Sequence, residues 1–219
     1  MRNEGTAILG AGGFAREAYW QIRTTAPDTP LVFVDDITDR KSIVMGTEKV
    51  PIVNNWNFSG LTIDDKELTI TSFVAGVGSP EIKRLLVSKA LEAGLHPSAT
   101  FVHPRATIVA PDCKVGMGGI IMPGVVITTN VTIGDYVILY MNTTIGHDAT
   151  IGDYVTCNPG AGISGNVVIG EGTMIGVGAV VRERVRIAPG CLAGAQACIV
   201  KDVMEPNTVI VGVPAKNLD

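Results

Sequence analysis

The chain reads as a small α/β domain followed by a parallel β-helix of hexapeptide repeats. Three observations carry that reading. From Val115 to Ile199, every sixth residue is aliphatic or small: Val115, Ile121, Ile127, Ile133, Leu139, Ile145, Ile151, Cys157, Ile163, Ile169, Ile175, Val181, Ile187, Ala193, Ile199. Composition agrees, with 46% hydrophobic residues, only 5% aromatic, and 26 glycines in 219 residues. Near the start, an apolar run ends in the glycine cluster Gly10-Ala11-Gly12-Gly13 and is followed by a helical stretch.

The first domain, residues 1–97, alternates strands and helices. TAILG (6–10) is short, apolar and closed by glycine, so it reads as a buried strand. A helix is expected from about Phe14 to Thr25, and a second strand over LVFVDD, 31–36. Pro27 and Pro30 punctuate the link between them. LTITSFVAGV (68–77) reads as a further strand. Pro80 opens an amphipathic helix that Gly94 closes. Alternation of this kind implies a parallel sheet of Rossmann-like type.

The turn Gly10-Ala11-Gly12-Gly13-Phe14-Ala15 fits G-x-G-x-x-A between a strand and a helix. Backbone N–H groups at a helix N-terminus favour an anion, and small residues let a phosphate approach them. Asp35 and Asp36 end the second strand, where an acid can meet a ribose or a base. The unit is about half a classical dinucleotide fold, so one nucleotide suits it better than two. A tight turn that simply requires glycine is the plainer alternative.

Residues 98–219 carry the repeat. A period of six matches neither a helix nor an alternating strand. Three hexads close one triangular coil of 18 residues, and coils stack at the ~4.8 Å strand spacing. A second column, four residues after the first, is small or branched (Val125, Val131, Val137, Ala149, Val155) and also turns inward. Gly, Asn and Asp are expected at corners that need positive φ. Val102 and Ile108 extend the phase upstream, with one residue inserted before Val115. No long loop interrupts the prism after that point.

The net charge of −4 gives no reason to expect nucleic acid. No apolar run reaches the ~20 residues of a bilayer span, so no membrane partner is expected. The N-terminus lacks a charged segment leading into a long apolar core, so the protein is expected in the cytoplasm. Cys113, Cys157, Cys191 and Cys198 show no metal spacing, and no metal is expected.

The hexads IGHDAT, IGDYVT and IGEGTM and the ending VGVPAK resemble the left-handed β-helix acyltransferases. GAGGFAR, the strand ending in VDD, and HPRATI leading into the prism narrow the resemblance. They are similar to the bacterial sugar O/N-acyltransferase group, which includes N-acetyltransferases of nucleotide-linked 4-amino-4,6-dideoxysugars and sialic acid O-acetyltransferases. Left-handedness is what the resemblance implies; spacing does not give it. Acetyl-CoA as acetyl donor and a homotrimer with sites between prisms are implied in the same way.

Acyl transfer to an amine needs a proton acceptor, a donor for the developing oxyanion and a positioned thioester. The histidines are His96, His103 and His147. His96 and His103 adjoin prolines in the connector and read as structural or solvated. His147, third in its hexad, points outward and precedes Asp148. The resemblance makes His147 the general base. One coil above lies Gly165, whose bare amide would serve the thioester carbonyl. Asn130 and Asn166 flank Asp148 on its column, placed either to hydrogen-bond its carboxylate or to form an asparagine ladder with no catalytic role.

The resemblance further implies that coenzyme A runs along the prism past the amides around Gly178, Ala179 and Ala197. Arg184, Lys201 and Lys216 are the candidate phosphate partners. The acceptor, a nucleotide-linked amino sugar, would use Gly10, Gly12, Gly13, Phe14, Asp35 and Asp36. Departures from the family pattern are Phe14 in place of a typical His, Tyr140 in place of an Asn seven residues before the base, and Thr156 in place of a second His. An O-acetyltransferase acting on sialic acid or another sugar hydroxyl would use the same base and cofactor. A nucleotide-binding β-solenoid without enzymatic activity is the remaining alternative.

Overall fold

The computed structural model describes residues 4–63 and 66–218. The first domain contains β1 (Glu4–Leu9), α1 (Gly13–Thr25), β2 (Leu31–Val34), β3 (Ser42–Met45), β4 (Glu48–Val53), β5 (Thr62–Ile63), β6 (Lys66–Glu67), β7 (Thr69–Ala75), α2 (Pro80–Glu92) and β8 (His96–Pro97). One sheet runs β3-β4-β2-β1-β7-β8 and is parallel except for the β3–β4 hairpin; β5 and β6 pair separately. The centre of the sheet, β1, lies between β2 and β7. In sheets of this kind ligands collect at the carboxyl ends of strands where the order reverses, here β1 and β7.

Element ends follow local chemistry. The second strand stops at Val34, two residues short of the expected end. The Asp35 carboxylate turns back there and accepts the N–H groups of Ala11, Ile37 and Thr38. Ser79 caps α2 by accepting the Ile82 N–H at 3.4 Å, with Pro80 next in line. The hairpin β3–β4 turns through Gly46 at φ +63°, in a segment whose alternation is weak.

Helices cover both faces of the sheet. Ala15, Ala18, Tyr19 and Ile22 of α1 join Ile8, Phe33 and Val74 in a core that also takes in Ile120 and Met122 of the second domain. Leu86, Val87 and Ala90 of α2 join Leu9, Val34 and Phe73, together with Tyr136. The two domains therefore share their cores.

Residues from Phe101 onward form a three-walled solenoid. The first wall stacks Phe101–Val102, Ile120–Ile121, Ile138–Leu139, Thr156–Cys157, Met174–Ile175, Leu192–Ala193 and Val209–Gly212. The second runs from Thr107–Ile108 through Thr144–Ile145 to Cys198–Ile199, and the third from Lys114–Val115 through Thr150–Ile151 to Arg186–Ile187. Parallel partners are 18 residues apart, as in Thr144 with Gly162. The lowest rungs of the first two walls are 19 apart (Phe101 with Ile120, Thr107 with Val126), where the inserted residue falls, and the last parallel rung of the first wall is 17 apart (Leu192 with Val209). Inward residues such as Ile127, Ile145, Ile163 and Val181 fill one continuous core.

Each corner holds a column of left-handed residues. Asn130, Asp148, Asn166 and Arg184 line the corner between the second and third walls; Asn142, Gly160, Gly178 and Gln196 line that between the first and second. Gly, Asn and Asp were expected there, but Tyr136 and Tyr154 occupy the third corner at φ +59° and +60°. Their rings stack at 4.9 Å, and Arg84 of α2 lies over Tyr154 at 4.3 Å. Packing against the first domain offsets the cost of bulky residues at positive φ.

Lys83 of α2 secures that contact. It is fully buried. Its Nζ donates to the carbonyls of Tyr136 (3.0 Å), Tyr154 (3.0 Å) and Val155 (3.3 Å) and to Thr156 Oγ1 (2.8 Å). Thr156 in turn donates to the Gly78 carbonyl at 2.7 Å. Burial pushes the ammonium down to about 7 from its ordinary 10.5. The unfolded chain therefore binds more protons between those two values, and this group makes stability rise with pH across that window. Lys83→Met leaves buried carbonyls unpaired and should lower unfolding free energy by about 2–3 kcal/mol at pH 7. It should also flatten the rise in stability above pH 7. Urea unfolding of parent and variant at pH 7 and pH 9 measures both.

Candidate active site

The site grows from one solenoid corner. Ile145 points into the core, Gly146 begins the turn, and His147 and Asp148 stand outward with side chains 59% and 42% exposed. His147 Nδ1 lies 2.7 Å from Asp148 Oδ2. A carboxylate only accepts, so Nδ1 carries the proton, and in the neutral ring Nε2 is the nitrogen that keeps a lone pair. Asp148 Oδ1 accepts the Asn130 side-chain N–H at 2.7 Å. That amide first, and the imidazole second, hold the Asp148 carboxyl below its usual range. It therefore stays ionised through the pH range in which an imidazole titrates.

Gly165, one coil above, lies against the His147 ring. A Cβ there would sit 2.5 Å from Nε2 and 2.6 Å from Cε1, so a larger residue would push the imidazole aside. The Gly165 carbonyl accepts the Arg184 N–H at 3.0 Å. Its own N–H has no hydrogen-bond partner among the described residues. An acceptor nitrogen and a free amide donor thus lie at the same point of the corner. The expected contact from Asn166 takes a different form: its backbone N–H, rather than its side chain, bonds this turn, at the His147 carbonyl (2.8 Å).

The expected cofactor residues continue around the prism. Gly178 is left-handed and donates to the Pro159 carbonyl, Ala179 donates to Gly176, and Ala197 donates to Gly194. Those amides are committed inside the coil. The unpartnered ones beside them, among the described residues, belong to Val177 and Ala195. Both are third in their hexads, as Gly165 is, so the six-residue phase could have found them. Arg184 and Lys201 are exposed and extend the His147 corner toward the C-terminus. Lys216 lies instead in the hairpin formed by Val209–Gly212 and Ala215–Asn217.

In the first domain, Gly10 has φ +102° and needs glycine for its conformation. Gly12 and Gly13 have no atom within 4 Å of where a Cβ would stand, and both are exposed. Helix α1 has no side-chain cap and no acid in its first turn, so its N-terminal amides are open. Asp35 is committed to three backbone N–H groups. Asp36 pairs with Lys89 at 2.5 Å and accepts from Trp56 Nε1 at 3.3 Å; the Lys89 hydrogen bond is the main reason its carboxyl is lowered. Phe14 touches Tyr140, with ring centroids 4.8 Å apart. Two of the three departures from the family pattern are thus one contact. Tyr140 and His147 lie on successive corners of one coil, with Thr144–Ile145 between them, so the glycine turn and the base do not meet on one corner.

His96 is exposed in β8, and His103 Nδ1 accepts the Arg105 N–H at 3.0 Å. Among the described residues no group of three or more His, Cys, Asp or Glu side chains is arranged to hold a metal.

No family model matches the chain, and no curated protein matches it. Solved structures do. A variant of perosamine N-acetyltransferase from Caulobacter crescentus, in complex with CoA and GDP-perosamine, is 26% identical over 98% of this chain and 97% of that one, with a TM-score of 0.85. The acetyltransferase domain of PglB from Neisseria gonorrhoeae FA1090, in complex with acetyl coenzyme A, is 29% identical over the whole of both chains, with a TM-score of 0.82. WeeI from Acinetobacter baumannii AYE is 25% identical over 98% of this chain and 100% of that one, with a TM-score of 0.85. A hexapeptide solenoid joined to an α/β domain is the frame of an acyl-transfer enzyme. This solenoid and its neighbours fit the left-handed β-helix sugar acyltransferase family.

Gly165→Ala should drive the His147 ring off its seat. We expect kcat to fall by about 10²-fold, the scale for displacing a functional group by about 1 Å, with a melting temperature close to the parent's. Steady-state kinetics alongside calorimetry checks this.

Proposed function

We propose that the protein transfers an acetyl group from acetyl-CoA to the 4-amino group of a nucleotide-linked 4-amino-4,6-dideoxysugar, with His147 as general base. The observation that carries this reading is the placement of the His147 ring, held through Nδ1 by Asp148, against Gly165, whose amide is unpartnered among the described residues. The neighbours crystallised with CoA, acetyl-CoA and GDP-perosamine support the chemical class.

Acetyl-CoA supplies an activated acyl group as a thioester. The residues present fit it: the Gly165 N–H offers a donor to the carbonyl oxygen, and Arg184 and Lys201 offer cations toward the C-terminal end. His147 Nε2 takes the proton that the attacking amine must lose, and the imidazolium returns a proton to the departing sulfur. Asp148 holds the ring through its Nδ1. The Gly165 N–H stabilises the negative charge that develops on the carbonyl oxygen. Pantetheine amides find their free partners at Val177 and Ala195, beside the Gly178–Ala179 and Ala197 positions.

The first domain, in this reading a Rossmann-like nucleotide-sugar unit, holds the acceptor. Gly10 shapes the turn for conformational reasons, whereas neither backbone nor packing demands Gly12 and Gly13. Open space above uncapped α1 amides suits a phosphate. Phe14 and Tyr140 border it where a His and an Asn are typical, so they bear on acceptor choice. Because base and turn lie on different corners, we assign the site to the cleft between prisms of a homotrimer. Light scattering should then give about 69 kDa, three times the chain mass of 22.9 kDa; a monomer active at nanomolar dilution would refute the shared site.

The function is tested by thiol release from acetyl-CoA across a panel of nucleotide amino sugars, free amino sugars and sialic acid. Turnover is expected only with a nucleotide-linked amine. His147→Ala should lower kcat by about two orders of magnitude or more while acetyl-CoA affinity and melting temperature change little. Release with sialic acid alone would assign an O-acetyltransferase. Folded His147→Ala with near-parental turnover would remove the base.

A further inference from the structure

Asn130 belongs to the coil below His147 and has no place in the chemistry described so far. Its backbone is left-handed at φ +52°. Its N–H donates to Asp112 Oδ1 at 2.9 Å, and the adjacent Thr129 hydroxyl donates to Asp112 Oδ2 at 3.0 Å. The Thr129 carbonyl accepts the Asp148 N–H at 3.1 Å. The Thr129–Asn130 turn is thus fixed from below by Asp112 and supports the Asp148 turn from above. The Asn130 side chain reaches across the coil spacing to Asp148 Oδ1, while Oδ2 faces His147 Nδ1.

This arrangement has a direction. An exposed carboxylate on a single side-chain torsion samples many rotations, and most of them leave Nδ1 without an acceptor. One oxygen of Asp148 is tied by a donor whose own backbone is anchored, so the other oxygen is held at the imidazole. We propose that Asn130 is a positioning residue: it sets the Asp148 carboxylate, and through it the ring orientation and Nδ1–H tautomer of His147, so that Nε2 faces Gly165 unprotonated. The inference rests on the reading of His147 as base for its kinetic consequence. Its structural content stands apart from that reading.

Asn130→Gly removes the amide and keeps a residue suited to positive φ. Asn130→Asp keeps a side chain tolerated there but replaces the donor with an acceptor. Both should lower kcat about tenfold, the lower end for losing a partner that orients a functional imidazole, with KM for both substrates within about twofold. In an Asp148→Asn background, Asn130→Gly should cost no more than about twofold further, because its effect passes through that carboxylate. Imidazole nitrogen NMR of the folded protein should show His147 as one tautomer in the parent and as a mixture in Asn130→Gly.

Unchanged kcat and an unchanged tautomer in both variants, or a full tenfold loss on top of Asp148→Asn, would overturn the proposal. The two readings fail separately. If His147→Ala keeps full turnover, the base assignment falls, and the tautomer spectrum still decides whether Asn130 positions the ring. If His147→Ala is inactive while Asn130→Gly matches the parent in kcat and tautomer, the base stands and the positioning role falls.

Discussion

Everything in this molecule depends on the 18-residue coil. From Lys114 to Ile199 parallel partners in each wall are that far apart, so two residues there separated by 18 stand one above the other. Inward columns become a dry core of branched side chains, and corner columns become stacks of turns in the same left-handed conformation. A corner residue therefore has its environment set by the residues one coil above and one coil below. His147 has a glycine above it and a threonine–asparagine turn beneath, and both matter. Without the first, the imidazole is pushed from its place; without the second, the carboxylate beside it loses the donor that ties one of its oxygens.

Coil arithmetic made part of the site legible before any coordinates. It placed Gly165 over His147 and Asn130 under Asp148, and the structure brings both pairs into contact. It could not say that Asn166 would use its backbone, because Asn130 and Asn166 are equivalent by phase. What separates them is the chain already below Asn130, with the Asp112 carboxylate pinning that turn. The amides open to a ligand follow from the same phase, but at third positions such as Val177 and Ala195 rather than at Gly178, Ala179 and Ala197. A small side chain leaves an amide uncovered; only the hydrogen-bond pattern shows whether it is already used.

The first domain was legible in its strands and helices and illegible in its docking. Alternation marked β1, α1, β2, β7 and α2 within a few residues. The β3–β4 hairpin was not assigned: Ser42–Met45 is an edge strand, with Val44 largely exposed, and gives little apolar period. Lys83 looks like an ordinary polar residue of an amphipathic helix, yet it is the most deeply engaged side chain at the interface. Its stem passes through apolar packing, and its ammonium ends among carbonyls of a coil more than 50 residues away in sequence. Tyr136 and Tyr154 break the corner rule for the same reason. Local preference predicts glycine or asparagine, and a partner domain with Phe73 and Arg84 on its surface makes an aromatic ring the better residue.

The same interface links the two halves of the chemistry. β1 and β7 end at the first wall, where Phe14 meets Tyr140 and the Gly78 carbonyl receives Thr156. The carboxyl ends of these strands therefore lie against a coil whose next corner carries His147. In that coil a change of side chain at Tyr140 alters this contact without moving His147, since strand register fixes the corner seven residues on. In the proposed reading this separates what must stay constant for acyl transfer from what can vary with the acceptor. The stacked column of Asn130, Asp148 and His147, with Gly165 above, is set by the solenoid alone. The aromatic pair is set by how the first domain docks, so in the proposed reading Phe14 and Tyr140 can change together with the acceptor.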